Sequence, residues 1–233
     1  MKEMMEGLTV FVLAALVVFS NGAFAQEAAT TAFASSGVVA IQADGQRRAL
    51  SRGEEIRAGE TVDTGPGRAQ LRFTDGAMVS LQPQTQFRID AYEFKGQADG
   101  SEKGFFSLLK GALRTITGAI GKKDRKAYRL DTAVATIGIR GTIYSVAYGN
   151  SVTVNTDQGA VEACNNGGCL VVGAGQSGYI KDIDTAPVLL GAGPQPLQDV
   201  LPPVAPKGFS AGDTPHILPP HQPPPGPSPP STY

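Results

Sequence analysis

Ala69-Gln70-Leu71-Arg72-Phe73-Thr74-Asp75-Gly76 alternates apolar and polar side chains and then stops at a turn dipeptide. A period of two places Ala69, Leu71 and Phe73 on one face of an extended strand, with Gln70 and Arg72 on the other. Asp-Gly ends such a strand because glycine accepts positive φ and aspartate hydrogen-bonds within its own turn. The same grammar repeats in both directions. Gly37 to Ala43 is an apolar run closed by Asp44-Gly45, and Phe87, Ile89 and Ala91 alternate with Arg88 and Asp90. Val152 and Val154 alternate with Thr153 and Asn155, and Gly159 opens a further run from Ala160 to Cys164. Short runs between closely spaced turn signals predict an all-β fold. The best helical stretch is Phe105 to Ile120, but Gly111, Gly118, Thr115 and Thr117 weaken it, and it too reads as strand.

Composition bounds the chemistry. Of 17 prolines in 233 residues, all but Pro66 and Pro83 fall at or after Pro187, and both histidines, His216 and His221, lie in that same tail. The folded body therefore has no histidine to act as general base for a Ser or Cys nucleophile, or to ligate zinc or haem. Aromatics make up 7% with no tryptophan, and no pair of carboxylates is singled out by spacing, so nothing points to glycosidase chemistry. An enzyme is not expected, nor a cofactor. The tail, ending in His221-Gln222-Pro223-Pro224-Pro225, has too little apolar surface to offset its ordering entropy and is expected to be extended and disordered.

Leu8 to Phe19 is a short uncharged apolar run followed by Ala23-Phe24-Ala25, which reads as a secretory signal peptide cut after Ala25. The run is too short to span a bilayer, so the mature chain is expected to have no transmembrane segment and to be periplasmic or secreted. Cleavage would leave 19 basic and 19 acidic residues, a balance that gives no global steering toward nucleic acid or membrane. In an oxidising compartment Cys164-Asn165-Asn166-Gly167-Gly168-Cys169 is most simply a disulfide across a hairpin tip. The expected organisation is a signal peptide (1–25), a linker (26–36), an all-β domain (37–186) and the Pro-rich tail (187–233).

Ordered motifs add a resemblance. Gly53-Glu54 and Gly59-Glu60 resemble the paired Gly-acid turns of the FecR family, and Phe73-Thr74-Asp75-Gly76 resembles its Phe-x-Asp-Gly turn. Leu108 to Arg114 is similar to its Leu-x-x-Gly-x-x-Arg segment, and Asp131 to Val146, containing Arg140-Gly141-Thr142, resembles its Arg-Gly-Thr hallmark. Gly175-Gln176 resembles the family's closing turn, so the matches run in order from about Gly37 to Ile180. The resemblance implies an exported all-β domain, a twisted solenoid-like or sandwich stack of short strands, in which Gly53, Gly59, Asp75, Gly76, Arg140, Gly141 and Thr142 are structural. The best-known members relay the state of an outer-membrane transporter to a sigma factor. This sequence shows no cytoplasmic anti-sigma region, so a stand-alone form is expected and sigma regulation is not carried over.

Three segments are candidate sites. Gly173-Ala174-Gly175-Gln176-Ser177-Gly178 spells a dinucleotide fingerprint, but the residues after it are too few and too strand-like for the helix that must meet the pyrophosphate, so it reads as a turn. Arg140 beside Gly141 could present its fork to an anion, although a brace donating to backbone carbonyls at a sheet corner is the favoured reading. Residues 103–129 hold eight basic residues against Asp124 alone; of these Lys122, Lys123, Arg125 and Lys126 form either an anionic-partner contact or a solvated hairpin loop guarding a sheet edge. Partners are expected to be an envelope protein or an anionic polymer rather than nucleic acid. The leading function is a non-catalytic binding or sensing module. The alternative is a structural protein of the cell envelope that uses the domain as scaffold and the tail as spacer.

Overall fold

The computed structural model describes residues 27–96 and 101–191; the expected signal peptide and the Pro-rich chain beyond Gly191 lie outside the described residues. The fold is all-β. In chain order come β1 (Glu27–Ala34), β2 (Val39–Ile41), β3 (Arg47–Ala49), β4 (Glu55–Arg57), β5 (Thr61–Asp63), β6 (Ala69–Phe73), β7 (Met78–Leu81) and β8 (Gln86–Glu93). Then follow β9 (Lys103–Ile116), a short helix α1 (Ala119–Lys123), a 3-10 turn (Arg125–Ala127), β10 (Tyr128–Asp131), β11 (Thr136–Tyr148) and β12 (Val152–Asn165). β13 (Gly168–Gly173), β14 (Ser177–Ile180) and β15 (Val188–Leu190) complete the described chain.

All strands belong to one hydrogen-bonded network, but the register divides it into two sheets that share three long strands. The first half of β9 pairs with β8 and, in parallel, with β10, while its second half pairs with β7 and β11. The two halves of β12 likewise separate β14 from β13. One sheet therefore runs β3-β2-β5-β8-β9-β10-β11-β12-β13, and the other β4-β1-β6-β7-β9-β11-β12-β14-β15. A strand that passes from one sheet to another must bend at a corner, usually at a bulge or a glycine. Gly111 in β9, Gly141 in β11 and Gly159 in β12 all have positive φ at those corners.

The core lies between the sheets. Phe73 of β6 packs 5.3 Å from both Tyr92 of β8 and Phe106 of β9, and Phe106 in turn meets Phe87 and Tyr128. Leu71, Ile89, Leu108, Leu130, Ile137 and Tyr144 are fully enclosed around this aromatic chain. Each such aliphatic side chain contributes about 1.5–3 kcal/mol of burial, so the alternation read at Ala69–Phe73 is an energetic instruction. The Tyr128 and Tyr144 hydroxyls hydrogen-bond to each other inside the core, and burial pushes the Tyr144 phenol up to about 12.

Several boundaries differ from the expected ones. Residues 27–34, expected as linker, form β1, which pairs with both β4 and β6. Its small side chains give no periodic signal, yet Ala28 and Ala29 are fully buried because neighbouring strands supply the bulk. Val188–Leu190, expected as the start of the tail, adds to β14 as β15. Val152 to Cys164 is one strand kinked at Gly159 rather than two. The strand from Lys103 stops at Ile116, and residues 119–123 turn into α1.

Asp63 illustrates how turns are held. Desolvation alone would raise its carboxyl, but the Gly65 N–H and the Gln86 side-chain amide donate to it, with Lys110 and Arg47 nearby, and together they hold it below its usual 3.8. A depressed folded-state value contributes stability that is present above the unfolded value and lost as pH falls through the folded one. Asp63→Asn should therefore flatten the loss of stability as pH falls below the usual carboxylate value in urea melts; an unchanged acid slope would contradict this account.

Candidate functional site

The Arg-Gly-Thr segment is a β-bulge. Arg140 pairs with Ala160 and Ile143 with Gln158, which leaves Gly141 and Thr142 opposite Gly159 alone. Such a bulge re-aims the side chains around it. Thr142 turns inward and is clasped by Thr117: the Thr117 hydroxyl donates to the Thr142 carbonyl at 2.7 Å and accepts from the Thr142 N–H at 3.2 Å. Arg140 turns outward and is exposed. The expected brace to backbone carbonyls is not there; among the described residues, no hydrogen bond or ion pair engages the Arg140 side chain.

The same corner receives the basic segment. Parallel β9 and β10 need a crossover rather than a hairpin, and α1 with its 3-10 turn supplies it. The expected hairpin loop is thus replaced by a packed connection. Gly118 and Gly121 permit close contact within it. A Cβ on Gly118 would lie 2.5 Å from the Asp75 carboxyl carbon, and one on Gly121 would collide with Ile139. Asp75, from the Phe-x-Asp-Gly turn, holds the start of α1 from afar: its Oδ2 accepts from Ile120 N at 3.2 Å and its carbonyl from Ala119 N at 3.0 Å. Its Oδ1 accepts from Ala77 N, closing its own turn at Gly76. Asp124 likewise accepts from Lys126 N and starts the 3-10 turn.

These placements create a small concavity of about 250 Å³, lined by Gly121, Lys122, Lys123, Arg125, Arg140 and Gly141. Four cations and no carboxylate face it. Lys126, grouped with this segment by sequence, is not among the lining residues, and Arg140 takes its place. The sequence holds Arg140 some 15 residues or more from the lysines, so only the bulge opposite Gly159 reveals that they meet.

A larger cleft, about 650 Å³, lies at the Gly53 and Gly59 turns. Size alone would favour it, but its charges are already satisfied. Glu60 is buried and its Oε2 accepts from Arg48 and from Arg57 N, both at 2.8 Å, while Arg48 also meets Glu54. The Gly-acid turns are thus structural, with Gly53 N donating to Thr31 O and Gly59 N to Ile89 O. Gly173 to Gly178 is the turn from β13 into β14, fixed by the Gln176 side chain accepting from Gly173 N, and it leads directly into a strand rather than a helix. Cys164 and Cys169 form a disulfide between paired residues of β12 and β13. Among the described residues no group of His, Cys, Asp or Glu is placed to hold a metal ion, and no helix is long and apolar enough to cross a membrane.

The family described as "FecR protein" matches residues 60–162, a range inside the one spanned by the motifs; the Gly53 and Gly59 turns and the Gly175-Gln176 turn fall outside it. No curated protein matches the chain. Two crystal structures of a candidate anti-sigma factor from Parabacteroides distasonis ATCC 8503 are similar in fold, with TM-scores of 0.45 and 0.46 at 14% and 15% identity. In each case 57% of this chain is covered, and the chain spans 60% of the length of the solved protein. From Glu60 to Glu162, through the Asp75 turn, the Gly111 corner and the Arg140 bulge, the chain carries a domain of the FecR protein family.

Proposed function

We propose that this protein is an exported FecR-type module that senses or regulates by binding, without catalysis, through contact with an envelope protein or an anionic envelope ligand. The observation that carries this reading is Arg140. In the family's hallmark segment, Gly141 and Thr142 are consumed by the bulge, while the arginine is presented to solvent beside three more cations. A side chain with five donors and no partner among the described residues is suited to an external acceptor. Periplasmic or extracellular placement is supported by the apolar N-terminal run with its Ala23-Phe24-Ala25 site and by the paired cysteines. Sigma regulation, which the name of the solved neighbours suggests for them, is not part of the proposal.

The test is recovery of the protein from envelope extracts under crosslinking. The expected result is a stoichiometric partner or ligand, a mature chain beginning at Gln26, and no free thiol on mass spectrometry. Recovery solely in large insoluble assemblies would favour the structural-protein reading instead. A mature chain that retains residues 1–25 in the cytoplasm would end the export proposal.

A further inference from the structure

We infer that the concavity between α1 and the β11 bulge is a binding site for a phosphate-bearing ligand, with Arg140 as its specificity-determining residue. Lys122, Lys123, Arg125 and Arg140 converge there with the backbone of Gly121 and Gly141, and no acid lines the space. Within the described residues, ion pairs occupy most other arginines of the strands, including Arg88 with Asp90, Arg114 with Asp157 and Arg129 with Asp131. Arg140 and Arg125 have none. Among the described residues Lys122, Arg125 and Arg140 gather there without an ion pair, which is unfavourable in the empty protein, and a multiply charged oxyanion relieves it better than one carboxylate does. The volume, about 250 Å³, falls below the usual range for drug-sized ligands and suits a phosphate group with part of its carrier. Arg140 is held at its Cα by the bulge and by the Thr142–Thr117 clasp, so its guanidinium fork is offered from a fixed base. The competing account is that Lys122 and Lys123 merely complement the carbonyl end of α1. That account explains neither Arg140 nor Arg125.

The inference deepens the contact-module reading and rests on it for its biological meaning, but its test does not depend on finding a partner. The full chain is titrated with inorganic phosphate, with pyrophosphate, and with phosphatidylcholine vesicles containing phosphatidic acid, following backbone amide resonances. Shifts confined to residues 121–125 and 140–142 are expected. Arg140→Gln should weaken binding by about tenfold and Arg140→Lys by about threefold, because the lysine keeps the charge and loses the fork. Lys103→Gln, which removes a cation outside the concavity, should change nothing. Response to the soluble anions would identify a free phosphate compound as the ligand class, and response to the vesicles alone a lipid headgroup; both support the site. No shift in any arm at 20 mM phosphate, an equal loss with Lys103→Gln, or binding of poly-glutamate in preference to every phosphate would overturn it. Failure here would leave the pull-down result standing, and failure of the pull-down would leave the titration standing.

Discussion

Alanine at Gly111 or at Gly159 should cost at least about 3 kcal/mol, the largest effects expected from any single methyl group in the described chain. Two terms add at each position. Both glycines have positive φ, +91° and +74°, a conformation that strains an L side chain. Both also lack room. A Cβ on Gly111 would sit 2.5 Å from the Thr85 Cα and hydroxyl, where that hydroxyl accepts from Ala112 N and donates to Ala112 O. A Cβ on Gly159 would lie 3.0 Å from the Arg140 carbonyl and closer still to that of Gly141. The obstacles are backbone or fully buried, so neither can yield without shifting the corner. In a domain of this size the melting temperature should fall by roughly 6–12 °C. Gly45→Ala is the control: its φ is +86° but nothing lies within 4 Å, so it should show the conformational term alone, about 1 kcal/mol. Equal losses at all three positions would mean that close approach contributes nothing, and that the shared strands are not bent where the two sheets divide.

These corners also explain what the sequence shows and hides. Alternation at Ala69–Phe73 survives as a strand that buries one face, and at Phe87 and Ile89 it holds until a bulge before Ala91 shifts the period and buries Tyr92 instead; Asp44-Gly45 and Asp75-Gly76 turn the chain because their conformations are local. The Asn-Gly tip between the cysteines was legible for the same reason. What escaped is long-range. β1 is composed of residues whose burial is decided by neighbours far along the chain, at β4 and β6. α1 has only five residues, two of them glycine or isoleucine packed inward, and no side-chain cap of its own at Gly118. Its polar anchor lies 45 residues earlier. A basic run and a family arginine were each visible, but their meeting depends on a bulge in β11 registered against β12, and no linear pattern encodes that register.

Asp75→Ala should therefore do two things at once: lower stability by about 2–4 kcal/mol and loosen the site without touching any of its cations. Loss of the carboxylate leaves Ala77 N without its acceptor at 3.0 Å and Ile120 N without its acceptor at 3.2 Å, both in partly buried surroundings. Each stranded N–H costs about 1–3 kcal/mol, since water reaches it poorly. The Asp75 backbone still accepts from Ala119 N and donates to the Tyr92 hydroxyl, so the turn itself should persist and the protein should fold. The short helix has little else to start it: five residues are far below the length at which helix formation sustains itself. Hydrogen exchange should accordingly rise first at residues 119–123, while β8 and β9 stay protected. Lys122 and Lys123 ride on that helix, so phosphate should bind more weakly even though Arg125 and Arg140 are unchanged. Asp75→Asn keeps one acceptor oxygen and places an NH₂ group against the other N–H, so it should recover part of the loss. Unaltered protection of 119–123 in Asp75→Ala would show that the helix is held by Ile120 packing rather than by the carboxylate. A loss of stability with phosphate binding intact would show that the cations are positioned by the β11 bulge alone.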